Sequence, residues 1–235
     1  MSTYRYGIDF FDDATLETGI DTLLTRARKK VDPYKNVVDP FAILFQAAIT
    51  YSKISNWQRL ELARQSNKSL TNALGDFHQA MLGKLPGWES TGTSGGLVDL
   101  KHLLPFGVRQ TPTLAEVKNK FNTMNASGQL KQFETFQDIL RIPEYKSYTC
   151  YLIQVIQQAP HDDIPWKIPG RGEQENIRII SAPRVYALST GDDQAFAKFL
   201  RAVTQVLKQR HGLTFDVEDE HALTDLLARV PGFSY

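Results

Sequence analysis

The sequence predicts an α/β fold in which a mixed β-sheet is flanked by helices. Three observations predict it. The first stretch, to about residue 85, places apolar side chains at helical spacing. A run rich in glycine, serine and threonine then introduces two segments with strand-like alternation. A β-branched and aromatic segment follows, and beyond it lies a strongly amphipathic helical stretch.

Residues 14–30 read as a helix ending in a basic cluster, Arg26, Arg28, Lys29 and Lys30. It stops at Asp32-Pro33, because a residue before proline avoids helical geometry. Residues 40–53 read as an apolar helix, expected to be buried on most sides. Residues 56–82 form a longer helical region in which Leu60, Ala63, Leu70, Leu74, Phe77 and Met81 fall near helical spacing. Asn56 is its expected N-cap, Gly83 its expected C-terminal stop, and Ser66-Asn67 a point of interruption.

Residues 86–96 are loop-like. Residues 97–104 and 114–121 read as two strands of a hairpin, joined by a turn region over 105–112 that contains Gly107. Residues 127–140 read as a helix and 148–157 as a buried central strand. Residues 160–176 are irregular. Residues 177–188 are expected to form one or two strands broken at Pro183. Residues 192–209 are an amphipathic helix with Phe196, Phe199, Leu200, Val203 and Leu207 on one face, and a short helix over 221–229 closes the chain.

The composition suits such a fold. Of 235 residues, 42% are hydrophobic and 23% charged, enough to build a core. The single cysteine, Cys150, excludes an intrachain disulfide and a multi-cysteine zinc site; its apolar setting reads as a buried, inert thiol. The N-terminus lacks a basic-then-apolar leader, and the apolar stretch 40–51 is too short to span a bilayer. A soluble cytoplasmic protein with no membrane partner is therefore expected. The net charge of +1 argues against a passive polyanion binder. It leaves room for an enzyme whose carboxylate-rich centre offsets basic residues placed elsewhere.

The informative segment is 95–125. Strand alternation puts Glu116 and Lys118 on one face and Ala115, Val117 and Phe121 on the other. Asp99 lies on the neighbouring predicted strand and meets Glu116 and Lys118 if the two strands pair. This trio suits phosphodiester hydrolysis. Magnesium takes one or two carboxylates together with waters and substrate phosphate. Asp99 and Glu116 would supply the carboxylates, and the carbonyl of Val117 a further ligand. Such an ion activates water and neutralises charge building on the phosphate, while Lys118 would orient the attacking water. A Glu-x-Lys on a solvated strand is otherwise a plain cross-strand charge pattern. Three features favour the chemical reading: the aspartate preceded by a glycine-rich loop, the apolar opposite face, and the polar cluster Asn119, Lys120, Asn122, Thr123 and Asn125 that follows.

These residues resemble the PD-(D/E)xK nuclease motif, with Val98 in place of the usual proline. The phrases LGDFHQAMLG, GWESTGTSGGLVDLK and AEVKNKFNTMNAS resemble the small type II restriction endonucleases that recognise GGNCC or GGWCC. The resemblance runs from about residue 30 to about residue 200 and is most specific over residues 74–127. It implies a restriction-endonuclease-like fold in a single nuclease domain over 1–235, with a helical part to about 85 and the catalytic hairpin and sheet over about 95–210. It further implies magnesium-dependent cleavage of double-stranded DNA at a short palindrome by a homodimer in a prokaryotic cytoplasm. A cognate methyltransferase would be the functional partner. Two other readings stay open: a repair or recombination nuclease of the same fold, and a non-catalytic DNA-binding protein.

On the resemblance, a helix before the hairpin brings an acid or amide near the metal, making Asp76 and Gln79 candidates and Glu61 a weaker one. His78 reads as structural, since no second histidine or cysteine is suitably spaced. Asn119, Lys120, Asn122 and Asn125 would contact phosphates beside the scissile bond; the alternative is a polar turn. Guanine readout calls for arginine or lysine, for which Arg109, Lys167, Arg171, Arg178 and Arg184 are candidates; the alternative for each is a solvated charge. The cluster from Arg26 to Lys30 would touch flanking phosphates or simply cap a helix end.

Overall fold

A computed structural model describes residues 5–29, 32–34, 38–92, 96–159 and 162–229. Lys30 of the basic cluster and residues 93–95 of the glycine-rich loop lie outside them. The first helix, α1 (Asp13–Ala27), starts where Asp12 accepts a hydrogen bond from the Thr15 N–H at 2.6 Å, and it buries Leu16 and Ile20. Helix α2 (Pro40–Ile49) begins at an Asp39 cap with proline in its first turn. The expectation that it is buried is corrected: none of its residues is buried, and Phe41 and Ile49 are 70% and 76% exposed.

Helix α3 (Trp57–Leu82) runs unbroken through Ser66 and Asn67. Asn56 does not cap it. That residue sits in a 3-10 turn (Ile54–Asn56) with helical dihedrals, so its side chain is not presented to the first free amides. Gly83 does end the helix, but by close approach rather than by a left-handed turn. Its φ is −70°, and a Cβ there would lie 2.8 Å from the backbone nitrogen of Ser90 in β1 (Trp88–Ser90).

The hairpin is longer and its turn tighter than expected. Strands β2 (Leu100–Phe106) and β3 (Thr111–Lys120) take in both Pro105 and Pro112, leaving only residues 107–110 as the turn. A register irregularity between His102 and Phe106 accommodates Pro105, which has no N–H to give the ladder. Helix α4 (Ala126–Arg141) follows, capped by Asn125, and leads into β4 (Thr149–Ile156). Then come β5 (Ile164–Pro165) and β6 (Ile177–Ser181). Pro183 does not break a strand; it occupies the first turn of α5 (Ala182–Thr190), which Ser181 caps. Helices α6 (Ala195–His211) and α7 (Val217–Ala228) complete the described chain.

The sheet has six strands in the order β1-β2-β3-β4-β6-β5. β4 is central, parallel to β3 and β6, and buried on both faces as its apolar sequence requires. One face carries Leu100, Ala115, Val117, Tyr151, Ile153 and Ile180 into a core with α1, α3, α5 and α6. The other carries Leu114, Cys150, Leu152, Ile177 and Ile179 against Phe133 and Phe136 of α4 and against Trp166. Burying each of those phenylalanines contributes about 1.5–3 kcal/mol. Cys150 is a buried free thiol, as its setting predicted, and burial pushes its pKa up to about 12. Phe121 departs from expectation. It stands past the end of β3, partly exposed, and faces Leu152 and Gln154 instead of continuing the Ala115–Val117 face.

Candidate active site

The β2–β3 register brings the catalytic candidates together. Leu100 pairs with Ala115, so Asp99, one residue before β2, stands opposite Glu116. Opposed residues of an antiparallel pair share a face, and Glu116 and Lys118 share it by alternation. The Asp99 N–H donates to the Ala115 carbonyl at 3.1 Å. Its carboxylate oxygen Oδ2 accepts from the Val117 N–H at 2.8 Å, so a side chain occupies a main-chain ladder position and the carboxylate is held rigidly. Val117 thus meets Asp99 through its N–H, and its side chain is buried.

Lys118 Nζ donates to Glu116 Oε1 at 2.5 Å, with the two side chains 27% and 17% exposed. Burial raises the Glu116 carboxyl above the ordinary range; the Lys118 hydrogen bond opposes this, and the neighbouring Asp99 charge adds to it. Two carboxylates at facing positions, with an ammonium on one of them, make a pair that a divalent cation would relieve. No group of three histidine, cysteine or acidic residues that could hold a metal occurs among the described residues, so the carboxylate pair is the candidate donor set.

Of the supporting candidates, Gln79 reaches the site: its amide donates to the Asp99 carbonyl at 3.4 Å. Asp76, on the same helix, faces α1 and pairs with Arg26 at the edge of an apolar cavity of about 540 Å³ between α1 and α3. Glu61 is bound by Arg64 and Gln65 of its own helix, and the Arg64 hydrogen bond pulls its carboxyl down to about 2. His78 packs edge-on against Phe77 at 5.4 Å; burial lowers its pKa to about 4, keeping the ring neutral.

Beyond Lys118, Lys120 is exposed and shares its face, whereas Asn119 points to the opposite face by alternation. Asn122 is exposed in the following turn. Asn125 spends its side-chain oxygen on capping α4, accepting from Gly128 N at 2.8 Å and Ser127 Oγ at 2.9 Å. Arg109 is exposed in the hairpin turn, beyond Thr111, which itself lies about 17 Å along β3 from Glu116 at ~3.4 Å per residue.

Lys167 pairs with Glu173 at 2.8 Å, Arg171 with Glu134, and Arg184 with Asp162 at 2.7 Å. Arg178 lies elsewhere. Its guanidinium is buried on Asp163, with Nε 2.6 Å from Oδ1, and Asp163 also binds the Tyr151 hydroxyl and the Val108 N–H. That network joins β4, β6 and the hairpin turn, so Arg178 faces inward rather than toward a ligand.

One residue escaped the reading of the sequence. Gln154, within the apolar β4 run, sits beside Lys118 in the parallel register, buried, and its oxygen has no hydrogen-bond partner among the described residues. The signal was there: an amide inside a strand buried on both faces needs a partner.

An open six-stranded mixed sheet flanked by helices is consistent with a restriction-endonuclease-like fold. The Eco47II restriction endonuclease family model matches residues 8–210, which include the whole cluster. The type II restriction enzyme Eco47II of Escherichia coli is 31% identical over 223 residues, covering 87% of this chain and 90% of its own. The type II restriction enzyme Sau96I of Staphylococcus aureus is 27% identical over 212 residues, covering 83% and 77%. The chain belongs to the Eco47II restriction endonuclease family, and its activity is that of a type II, site-specific DNA endonuclease. Among the described residues no helix is long and apolar enough to cross a membrane.

Proposed function

We propose that this endonuclease hydrolyses duplex DNA at a short GGNCC-like palindrome, with Asp99, Glu116 and Lys118 as its catalytic residues and Mg2+ as its cofactor. The observation that carries this reading is the β2–β3 register, which sets Asp99 opposite Glu116, with the lysine ammonium on Glu116. Oxygen-only donors fit a hard cation.

Asp99 and Glu116 would hold the ion, with the Val117 carbonyl next to them. When bound, the ion supplies Lewis-acid stabilisation of the phosphate and a more acidic water. Asp99 is pre-aligned by the Val117 N–H, and Gln79 steadies the backbone that carries it. Lys118 releases Glu116 and turns its ammonium to the scissile phosphate and the attacking water. Lys120 and Asn122 bind neighbouring phosphates, and Lys167, Arg171, Arg184 and Arg109 remain the candidates for reading bases.

A palindrome carries a two-fold axis, so two copies of the chain would act as a homodimer, each centre cutting one strand. A cognate methyltransferase would protect the host DNA in the bacterial cytoplasm. Plasmid DNA incubated with the protein and magnesium should give discrete fragments whose sequenced ends share one palindrome, and chelation should stop cleavage. A smear, or cutting that persists in chelator, would overturn the reading.

A further inference from the structure

A second cavity, of about 320 Å³, opens on the sheet face that carries Glu116 and Lys118. Phe121, Leu152, Trp166 and Ile179 form its walls, with Gln129 and Lys167 among its polar lining. Gln154 also lines it, 6% exposed and with its Oε1 atom unpartnered among the described residues. Because Gln154 pairs in register with Lys118 on the adjacent parallel strand, the two backbones are about 4.8 Å apart and the side chains share a face. An apolar residue of the same size would fill this place without leaving a buried polar atom unpaired, so the amide calls for a ligand.

The chemistry of the walls limits what that ligand is. Aromatic and aliphatic surfaces suit a flat, apolar-faced ring, and the amide offers both a donor and an acceptor to the edge of such a ring. A phosphate does not fit, since among the described residues the lining contributes one cation, Lys167, and that is already paired with Glu173. We propose that this cavity receives one nucleobase of the DNA substrate, unstacked from the duplex beside the cleavage site, with Gln154 bonding its Watson–Crick edge. The inference rests on the DNA-cleaving reading above.

Unpairing the base opposes binding, and a mismatch removes that opposition. The test uses the full chain, calcium in place of magnesium, and duplexes carrying the site found from sequenced plasmid ends. A mismatch is placed at each position in turn. One position should tighten binding at least tenfold, and 2-aminopurine placed there should change its fluorescence on binding while the other positions stay near their free values. Gln154→Leu should melt no lower than the parent yet lose most of the mismatch gain, and the partly exposed Phe121→Ala should reduce it as well. If no position gains, or if the gain survives both substitutions, the inference falls. Should Gln154→Leu fail to fold, the mismatch scan of the parent and Phe121→Ala still decide. Failure here with site-specific cutting intact overturns only the base pocket; absence of specific cutting overturns the functional reading itself.

Discussion

At Glu116 a structural cost and the proposed catalytic use meet in one carboxyl. Burial and the charge of Asp99 raise its pKa, and the Lys118 hydrogen bond works against them. A carboxyl whose folded pKa lies above its unfolded one favours the fold while protonated, and that contribution is lost as pH rises through the folded value. Glu116→Gln should therefore melt above the parent at about pH 8, and the advantage should shrink as the pH falls toward about 4, in thermal melts across that range. The same variant should lose about 10²–10³-fold in plasmid cleavage rate, the scale of removing one preorganised charge-stabilising group. Parent-like cutting would remove Glu116 from the site. Protons and the cation compete for this carboxylate, so calcium binding, read by calorimetry, should weaken as pH falls through its raised pKa. Lys120 behaves differently because it is exposed and outside the carboxylate pair. Lys120→Ala should leave the melting temperature unchanged, weaken DNA binding about equally across sequences, and lower the salt slope by about one. A fall confined to the cognate site would instead make it a base reader.

Among the elements, strand alternation made β3 legible. Glu116, Lys118, Ala115 and Val117 fall on the faces their spacing assigns, and β4 is the buried central strand its β-branched run describes. What escaped was set by partners distant in the chain. Arg178 looked like a free cation because its partner, Asp163, lies 15 residues away in the irregular segment before β6. Proline at 183 has two meanings, strand breaker or first helical turn, and the neighbouring Ser181 cap decides for the helix. Apolar composition described α2 but said nothing of where it sits. The buried Arg178–Asp163 pair also separates structure from recognition. Removing one partner strands a buried charge, so Arg178→Ala should cost about 3–5 kcal/mol in urea unfolding. Arg171→Ala, at a half-exposed pair with Glu134, should stay within about 0.5 kcal/mol. Equal costs would mean the Asp163 network is not what locks the hairpin turn to β4 and β6.

For the whole molecule, the open question is what covers α2. A helix apolar all round is ordinarily buried, yet Phe41, Leu44, Phe45 and Ile49 face outward, with Tyr51 and Ile54 continuing the patch. Large apolar side chains bury on the order of 100–200 Å² each, so this patch alone approaches the ~800 Å² per partner of a standard interface. The homodimer proposed for palindrome cleavage needs such a self-complementary surface, because two-fold symmetry sets the same patch on both copies. The second copy is therefore the occupant expected on α2. Replacing Phe41 and Phe45 with serine removes apolar area without touching the carboxylate pair, which lies on β3 and just before β2. The double variant should sediment as a monomer at concentrations where the parent is a dimer. On supercoiled plasmid it should leave nicked circles in place of linear product, because a single centre cuts one strand per encounter. A parent that sediments as a monomer, or a variant that keeps both dimer mass and double-strand cutting, would place the symmetry contact on another face of the fold.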